Sequence, residues 1–149
     1  MKTPASASIL KENVRGLRQA MVSLQRASDL CATIGGGPAF SPADLDAIEV
    51  LASRFSRTTD FLVNKVLRAL DRYELEPEGT LLDVLNRAEK RGLIDSARVL
   101  REMKELRNEI VHEYLSDGLA DLHGDLRRYT PQLLAVAART AEHAERVLR

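Results

Sequence analysis

Tryptophan is absent from this 149-residue chain, aromatic residues make up 4% of it, and there is one cysteine. Without a set of stacking aromatics, the chain lacks the platform on which sequence-tolerant single-strand binders hold successive bases. A lone cysteine, Cys31, excludes an internal disulfide framework and a multi-cysteine zinc site. It sits in an apolar helical stretch and reads as a small core residue rather than a reactive thiol. Net charge is lacking too: 22 basic residues balance 22 acidic ones. A strong electrostatic footprint for nucleic acid is therefore missing from the total, and any basic surface must be local. No stretch approaches the roughly 20 apolar residues that a membrane span needs. The N-terminus MKTPASASILKENV has neither a long apolar region nor a cleavage signature. The expectation is a protein of the reducing cytoplasm with no membrane partner. H-E-x-x-H, a zinc-binding pattern, is absent as well.

What is present is helical punctuation. Apolar residues at 44% and charged residues at 30% suit a soluble globular protein, and the length suits one domain over residues 1–149. A first helix is predicted roughly from Ser8 to Thr33, with Ile9, Leu10, Val14, Leu17, Met21, Leu24 and Leu30 on one broad stripe. The run IGGGPAFSP breaks it. Ser41, Pro42 and Asp44 form an N-cap, a first helical position and a capping-box partner. A long second helix follows, from about Pro42 to Tyr73, carrying Leu45, Ile48, Leu51, Ala52, Phe55, Phe61, Leu62, Val66, Ala69 and Leu70. EPEG ends it. Thr80 caps a short third helix that runs through Arg91, with Asp83 at its third position and Gly92 as its stop. Asp95 or Ser96 starts a fourth, which Asp117-Gly118 interrupts. A last helical region spans roughly Leu119 to Leu148, with a restart or kink at Thr130-Pro131. No segment alternates like a strand. The expected architecture is an all-α bundle of four or five helices, two of them long.

The stretch RNEIVHEY, Arg107 to Tyr114, stands out on the fourth helix. On a wheel at about 100° per residue with Leu106 at zero, the apolar arc is centred near 60–80°. Arg107 falls inside it at about 100° and Tyr114 at about 80°, whereas His112 lands near 240°, on the polar side. A guanidinium is almost never buried without an anion or a cleft, because stripping its water costs several kcal/mol. Either Arg107 pairs with a core carboxylate or snorkels at the bundle end, or the arc opens onto a cleft that holds an anion. His112 is either a silent solvated residue or a functional one whose ring Asn108, four residues earlier, hydrogen-bonds. The roughly 140° between Arg107 and His112 does not suit one shared site on one straight helix. It requires a distortion before His112 or a partner group from a second chain.

At these residues the chain resembles the HEPN domain family, in particular HepT-type ribonuclease toxins, whose motif is Arg-x-x-x-x-His-x-Tyr. Arg107, His112 and Tyr114 match it, and Asn108 matches the residue that often follows the arginine. The longer run from Ser56 to Tyr114 is similar to small bacterial members described as substrate-binding partners of minimal nucleotidyltransferases. The resemblance implies a HEPN-like bundle and a homodimer in which two copies of the motif face each other across a cleft. It implies metal-independent RNA cleavage without a cofactor. In that chemistry the ribose 2′-OH attacks the adjacent phosphate, His112 acts as general base or acid, Arg107 stabilises the phosphorane and Asn108 orients the site. It further implies an MNT-type nucleotidyltransferase antitoxin that adenylylates Tyr114 and so blocks the cleft. The alternative is a non-catalytic dimer whose cleft holds a nucleotide or presents substrate to the nucleotidyltransferase.

Local charge is uneven. Ser53 to Arg72 holds five basic and two acidic residues, and Arg87 to Arg107 holds seven and four. Glu105, Glu109, Glu113, Asp117, Asp121 and Asp125 then recur every four residues. They form either a solvated face or a docking surface for a basic partner. Arg57 and Asp60 are candidate cleft-lining residues from the second helix, or a local surface pair. His123 and His143 are read as surface residues, and Tyr73 and Tyr129, near helix ends, as packing residues.

Overall fold

The computed structural model describes residues 2–35, 39–112 and 118–149, with side chains at all of these except 111, 112, 119 and 120. The described residues are helical, with no strand. In chain order the elements are α1 (Pro4–Cys31), α2 (Pro42–Asp60), a π-helical segment (Phe61–Leu67), α3 (Arg68–Tyr73), α4 (Leu81–Lys90), α5 (Ala97–His112) and α6 (Leu119–Val147). Because α2, the π segment and α3 are continuous, they form one rod, and the bundle has five such rods. This is the all-α bundle with long helices that the punctuation predicts.

Three helices start with reciprocal capping boxes: Thr3 with Ser6, Ser41 with Asp44, and Thr80 with Asp83. Each satisfies two orphan backbone donors. The first lies earlier than the predicted start at Ser8, since Pro4 takes the first helical position and Thr3 the cap. At α5 the Ser96 hydroxyl accepts from the Arg98 amide at 3.2 Å, and the Ala97 amide donates to Glu89 Oε1 at 2.9 Å. Gly92 ends α4 with a φ of 77°, a conformation that favours glycine. The last helix runs unbroken through Pro131, so the expected restart at Thr130 does not occur. Tyr129 consequently lies in mid-helix.

One cluster of buried residues draws on every rod, among them Leu17, Phe55, Leu70, Leu85, Met103 and Leu133. The broad stripe expected on α1 is narrower than predicted. Leu10, Leu17 and Leu24 are fully buried, but Ile9 and Leu30 are 50% and 62% exposed, because each is rotated well off the line of the buried leucines. Leu45, also expected inside, is exposed. The π segment shifts the buried face in the other direction. Within it Leu62, Val63, Val66 and Leu67 are all buried, so Val63 and Leu67 join the core beside the expected Leu62 and Val66.

Polar ties fix the rods to one another. Asp71 on α3 is buried and accepts from Arg87 Nη1 at 3.1 Å and Arg91 Nη1 at 2.6 Å, both cations contributed by α4 and its C-terminal cap. Arg91 Nε also reaches Glu74 at 3.1 Å, and Glu74 meets His143 of α6 at 3.5 Å. His143 is therefore half-buried in a charged network rather than a free surface residue. Tyr73 donates its hydroxyl to the Val147 carbonyl at 3.2 Å, and Tyr129 donates to Glu102 at 2.8 Å. That bond to Glu102, with burial, pushes the Tyr129 phenol above its usual pKa. Cys31 is buried as expected and donates its thiol to the Ala47 carbonyl at 3.3 Å.

His123 departs furthest from its expected place. It is 2% exposed, not a surface residue. The Phe40 ring stands edge-on to it at 5.8 Å between centroids, and neither ring nitrogen has a hydrogen-bond partner among the described residues. Burial pushes its pKa below the usual histidine value, with the Ile34 backbone acting in the opposite direction. An isolated histidine gives no warning of this, because one polar residue on a helix does not show which face it occupies.

Candidate functional site

Arg107 sits in the third turn of α5 and faces the end of α2. Its Nε and Nη2 both donate to Asp60 Oδ2, at 3.0 and 2.8 Å, while Nη1 donates to Asn108 Oδ1 at 3.2 Å. Lys104, one turn earlier, reaches the other oxygen of Asp60 at 3.3 Å. One carboxylate thus holds two cations. Of the two readings of an arginine in the apolar arc, pairing with a carboxylate is the one observed. The pair is not sealed off: the Arg107 and Asp60 side chains keep 28% and 31% exposure, and Lys104 keeps 14%.

Asp60 occupies a distinctive position in the backbone. It is the last residue before the π segment, where the Phe61 amide is shared between the carbonyls of Arg57 and Thr58. Single π turns within α-helices concentrate at functional sites, because the wide turn re-aims the side chains around it. Here the turn divides the Asp60 side, which faces α5, from the Phe61 side, which faces α1.

A guanidinium has five N–H groups. Asp60 and Asn108 engage three of those on Arg107, leaving one on each terminal nitrogen. Guanidinium N–H groups left over in this way can donate to phosphate oxygens. Asp60 therefore orients Arg107 without exhausting it. Lys104 supplies a second positive charge against the same carboxylate, so the local charge of the trio remains positive.

The other site candidates divide as follows. Asn108 lies on the exposed side of α5 and accepts a hydrogen bond from Arg107. Arg57 is exposed, makes no ion pair with Asp60 among the described residues, and lines a separate cleft against α1. The alternative of a local Arg57–Asp60 surface pair is therefore not what forms. His112 is the last residue of α5, but its side chain lies outside the described set, as does the whole of Tyr114. Of the acidic ladder, Glu105 pairs with Arg101 at 3.5 Å, Glu109 and Asp121 are exposed, Asp125 is half-buried, and Glu113 and Asp117 lie outside the described residues.

Lys104 is the residue that motif reading passed over. Two cations three residues apart at the inner edge of an amphipathic helix need an anion on the helix they face. The spacing of Lys104 and Arg107 carried that signal, though it does not name the anion. Among the described residues no group of three or more histidine, cysteine, aspartate or glutamate side chains is arranged to hold a metal ion. Nor, among the described residues, is any helix long and apolar enough to cross a membrane. The chain matches no family model, and a search of curated proteins gives no significant match.

Proposed function

We propose that this chain is a HEPN-type, HepT-like ribonuclease that cleaves RNA without a metal ion. Arg107 and His112 are its catalytic pair, and Asn108 and Asp60 position the arginine. The observation that supports the reading is the state of Arg107: fixed by Asp60 through two hydrogen bonds, partly open to solvent, and left with two N–H groups for an anion. Lys104 adds a second cation against the same carboxylate, so the surface around Arg107 carries net positive charge.

The chemistry follows from those groups. The ribose 2′-OH attacks the adjacent phosphorus as His112 takes its proton. Negative charge grows on the non-bridging oxygens, and the free edge of Arg107 binds it. The 5′-oxygen then leaves with a proton from an imidazolium. One histidine does not perform both transfers at once, so the two motif copies of a homodimer supply base and acid. Adenylylation of Tyr114, two residues beyond His112, places a bulky anion beside this centre, and an MNT-type nucleotidyltransferase acts as antitoxin by that route.

The experiment is cleavage of a mixed-sequence RNA by purified protein in excess chelator, with mass spectrometry showing Tyr114 unmodified. Cleavage that disappears in both Arg107→Ala and His112→Ala supports the reading. If unmodified protein leaves RNA intact, the second reading takes its place: a non-catalytic dimer that binds a nucleotide for a nucleotidyltransferase.

A further inference from the structure

A cleft of about 260 Å³ lies between α1 and the C-terminal part of α2, on the opposite side of the α2 ridge from Arg107. Phe61 lies at its base, half-buried, and seats its ring on Gly16, where a Cβ would strike the ring atoms. Arg54 and Arg57 line one wall, and Gln19 and Ser23 the other. Arg54 is anchored by a 2.9 Å bond from Nη1 to the Ser23 carbonyl and keeps its remaining donors. Arg57 is exposed and makes no ion pair among the described residues. Lys65 holds its ammonium 6.0 Å from the centre of the Phe61 ring. None of the lining residues is acidic. In a chain of zero net charge, two arginines lining a cleft that has no lining carboxylate, with a lysine beside its aromatic ring, form the kind of local basic surface that the composition leaves room for.

This cleft adjoins the arginine site. On a wheel at about 100° per residue, Arg57 lies about 60° from Asp60 on one side and about 40° from Phe61 on the other. Asp60 and Phe61 are consecutive residues, so the arginine site and the cleft meet at this turn of the rod. We propose that the cleft binds one nucleotide of the RNA strand, next to the nucleotide held at Arg107. Its phosphate lies on Arg57 and Arg54, and its base lies against the Phe61 ring within reach of the Gln19 amide. The assignment rests on the ribonuclease reading above. The mixed lining favours RNA over an acidic protein, since every nucleotide brings a phosphate and a planar base together, whereas a peptide carries a planar ring only at its aromatic residues. A base supplies that planar group, and stacking of this kind tolerates any sequence. The volume lies somewhat below the roughly 300 Å³ from which pockets for drug-sized ligands begin, which suits a single nucleotide.

The test separates binding from cleavage. In a His112→Ala background, binding of a fluorescent ten-nucleotide single-stranded RNA is measured by anisotropy across a salt series. Arg57→Glu is expected to weaken binding at least tenfold and to flatten the slope of log affinity against log salt by about 0.7 for each phosphate no longer neutralised. Phe61→Leu is expected to weaken it several-fold with little change of slope. Lys90→Glu, an equal change of net charge at an exposed site on α4, is expected to stay within twofold. Circular dichroism checks that each variant is folded. RNA binding unchanged in both Arg57→Glu and Phe61→Leu overturns the assignment, as does an equal weakening in Lys90→Glu. So does poly-glutamate that binds as tightly and depends as strongly on Arg57. If wild type cleaves RNA and Arg57→Glu cleaves equally well at every RNA concentration, the cleft falls and the ribonuclease reading stands. If wild type cleaves nothing but RNA binding depends on Arg57 and Phe61, the cleft stands and the ribonuclease reading falls.

Discussion

Replacing Asp60 with alanine tests the physical core of the site. The substitution strands two cations, Arg107 and Lys104, whose side chains are 28% and 14% exposed. Breaking a fully buried ion pair from one side costs about 3–5 kcal/mol, and an exposed pair is worth about 0–1 kcal/mol. The exposure of Arg107 and Asp60 puts their bond nearer the surface case, while the more buried Lys104 raises the total, for an expected loss of about 1.5–2 kcal/mol. Asp60 makes no side-chain capping bond to the backbone, so little of this reflects helix capping. At about 2–4 °C per kcal/mol for a chain near 150 residues, Asp60→Ala lowers Tm by about 3–8 °C. Thermal and urea unfolding followed by circular dichroism measure the effect. A double-mutant cycle with Arg107→Ala then isolates a coupling of about 1 kcal/mol. Asp46→Ala, an exposed carboxylate on the same helix, stays within about 0.5 kcal/mol. A destabilisation by Asp60→Ala no greater than by Asp46→Ala, or a coupling indistinguishable from zero, refutes the placement of Arg107 on Asp60.

Three further outcomes are expected. Asp71→Ala leaves Arg87 and Arg91 without their shared carboxylate at sites 19% and 12% exposed, so it costs about 3 kcal/mol in urea unfolding, more than Asp60→Ala. Acidification destabilises the fold through His123: its folded pKa lies below its unfolded one, so the unfolded state takes the proton first. Stability attributable to His123 is intact above the ordinary histidine pKa of about 6.5 and falls below it by at most about 1.4 kcal/mol per pH unit. The charged neighbours Asp44 and Arg127 and the Cys31 thiol stay as they are in His123→Phe, which therefore flattens the Tm profile between about pH 7 and 5. Phe55→Ala, at a fully buried position, costs about 3–5 kcal/mol by the same unfolding assay.

The capping residues made the helix boundaries legible. Ser41 and Thr80 announce their helices because the side chain and its partner three residues later are both local. The π segment carries no such local mark, since it begins inside a continuous helix with no side-chain cap to announce it. The passage of α6 through Pro131 is a tertiary effect: packing on both sides of the proline outweighs one missing amide. Arg107 was recognisable as an arginine in need of an anion. Its partner was not, because Asp60 is 47 residues away and nothing local ties the two together. His123 was misplaced for want of context, as a lone histidine carries no periodic signal of its own.

If Arg107 and His112 drive attack of a ribose 2′-OH on the neighbouring phosphate, the cleaved RNA carries the record of it in its ends. Those ends are best identified after incubation with protein unmodified at Tyr114. Attack by the 2′-OH leaves 2′,3′-cyclic phosphate and 5′-hydroxyl ends, and these are expected with wild type and absent with His112→Ala and Arg107→Ala. Intact RNA, or 3′-hydroxyl and 5′-phosphate ends that persist in either variant, would contradict the proposed chemistry.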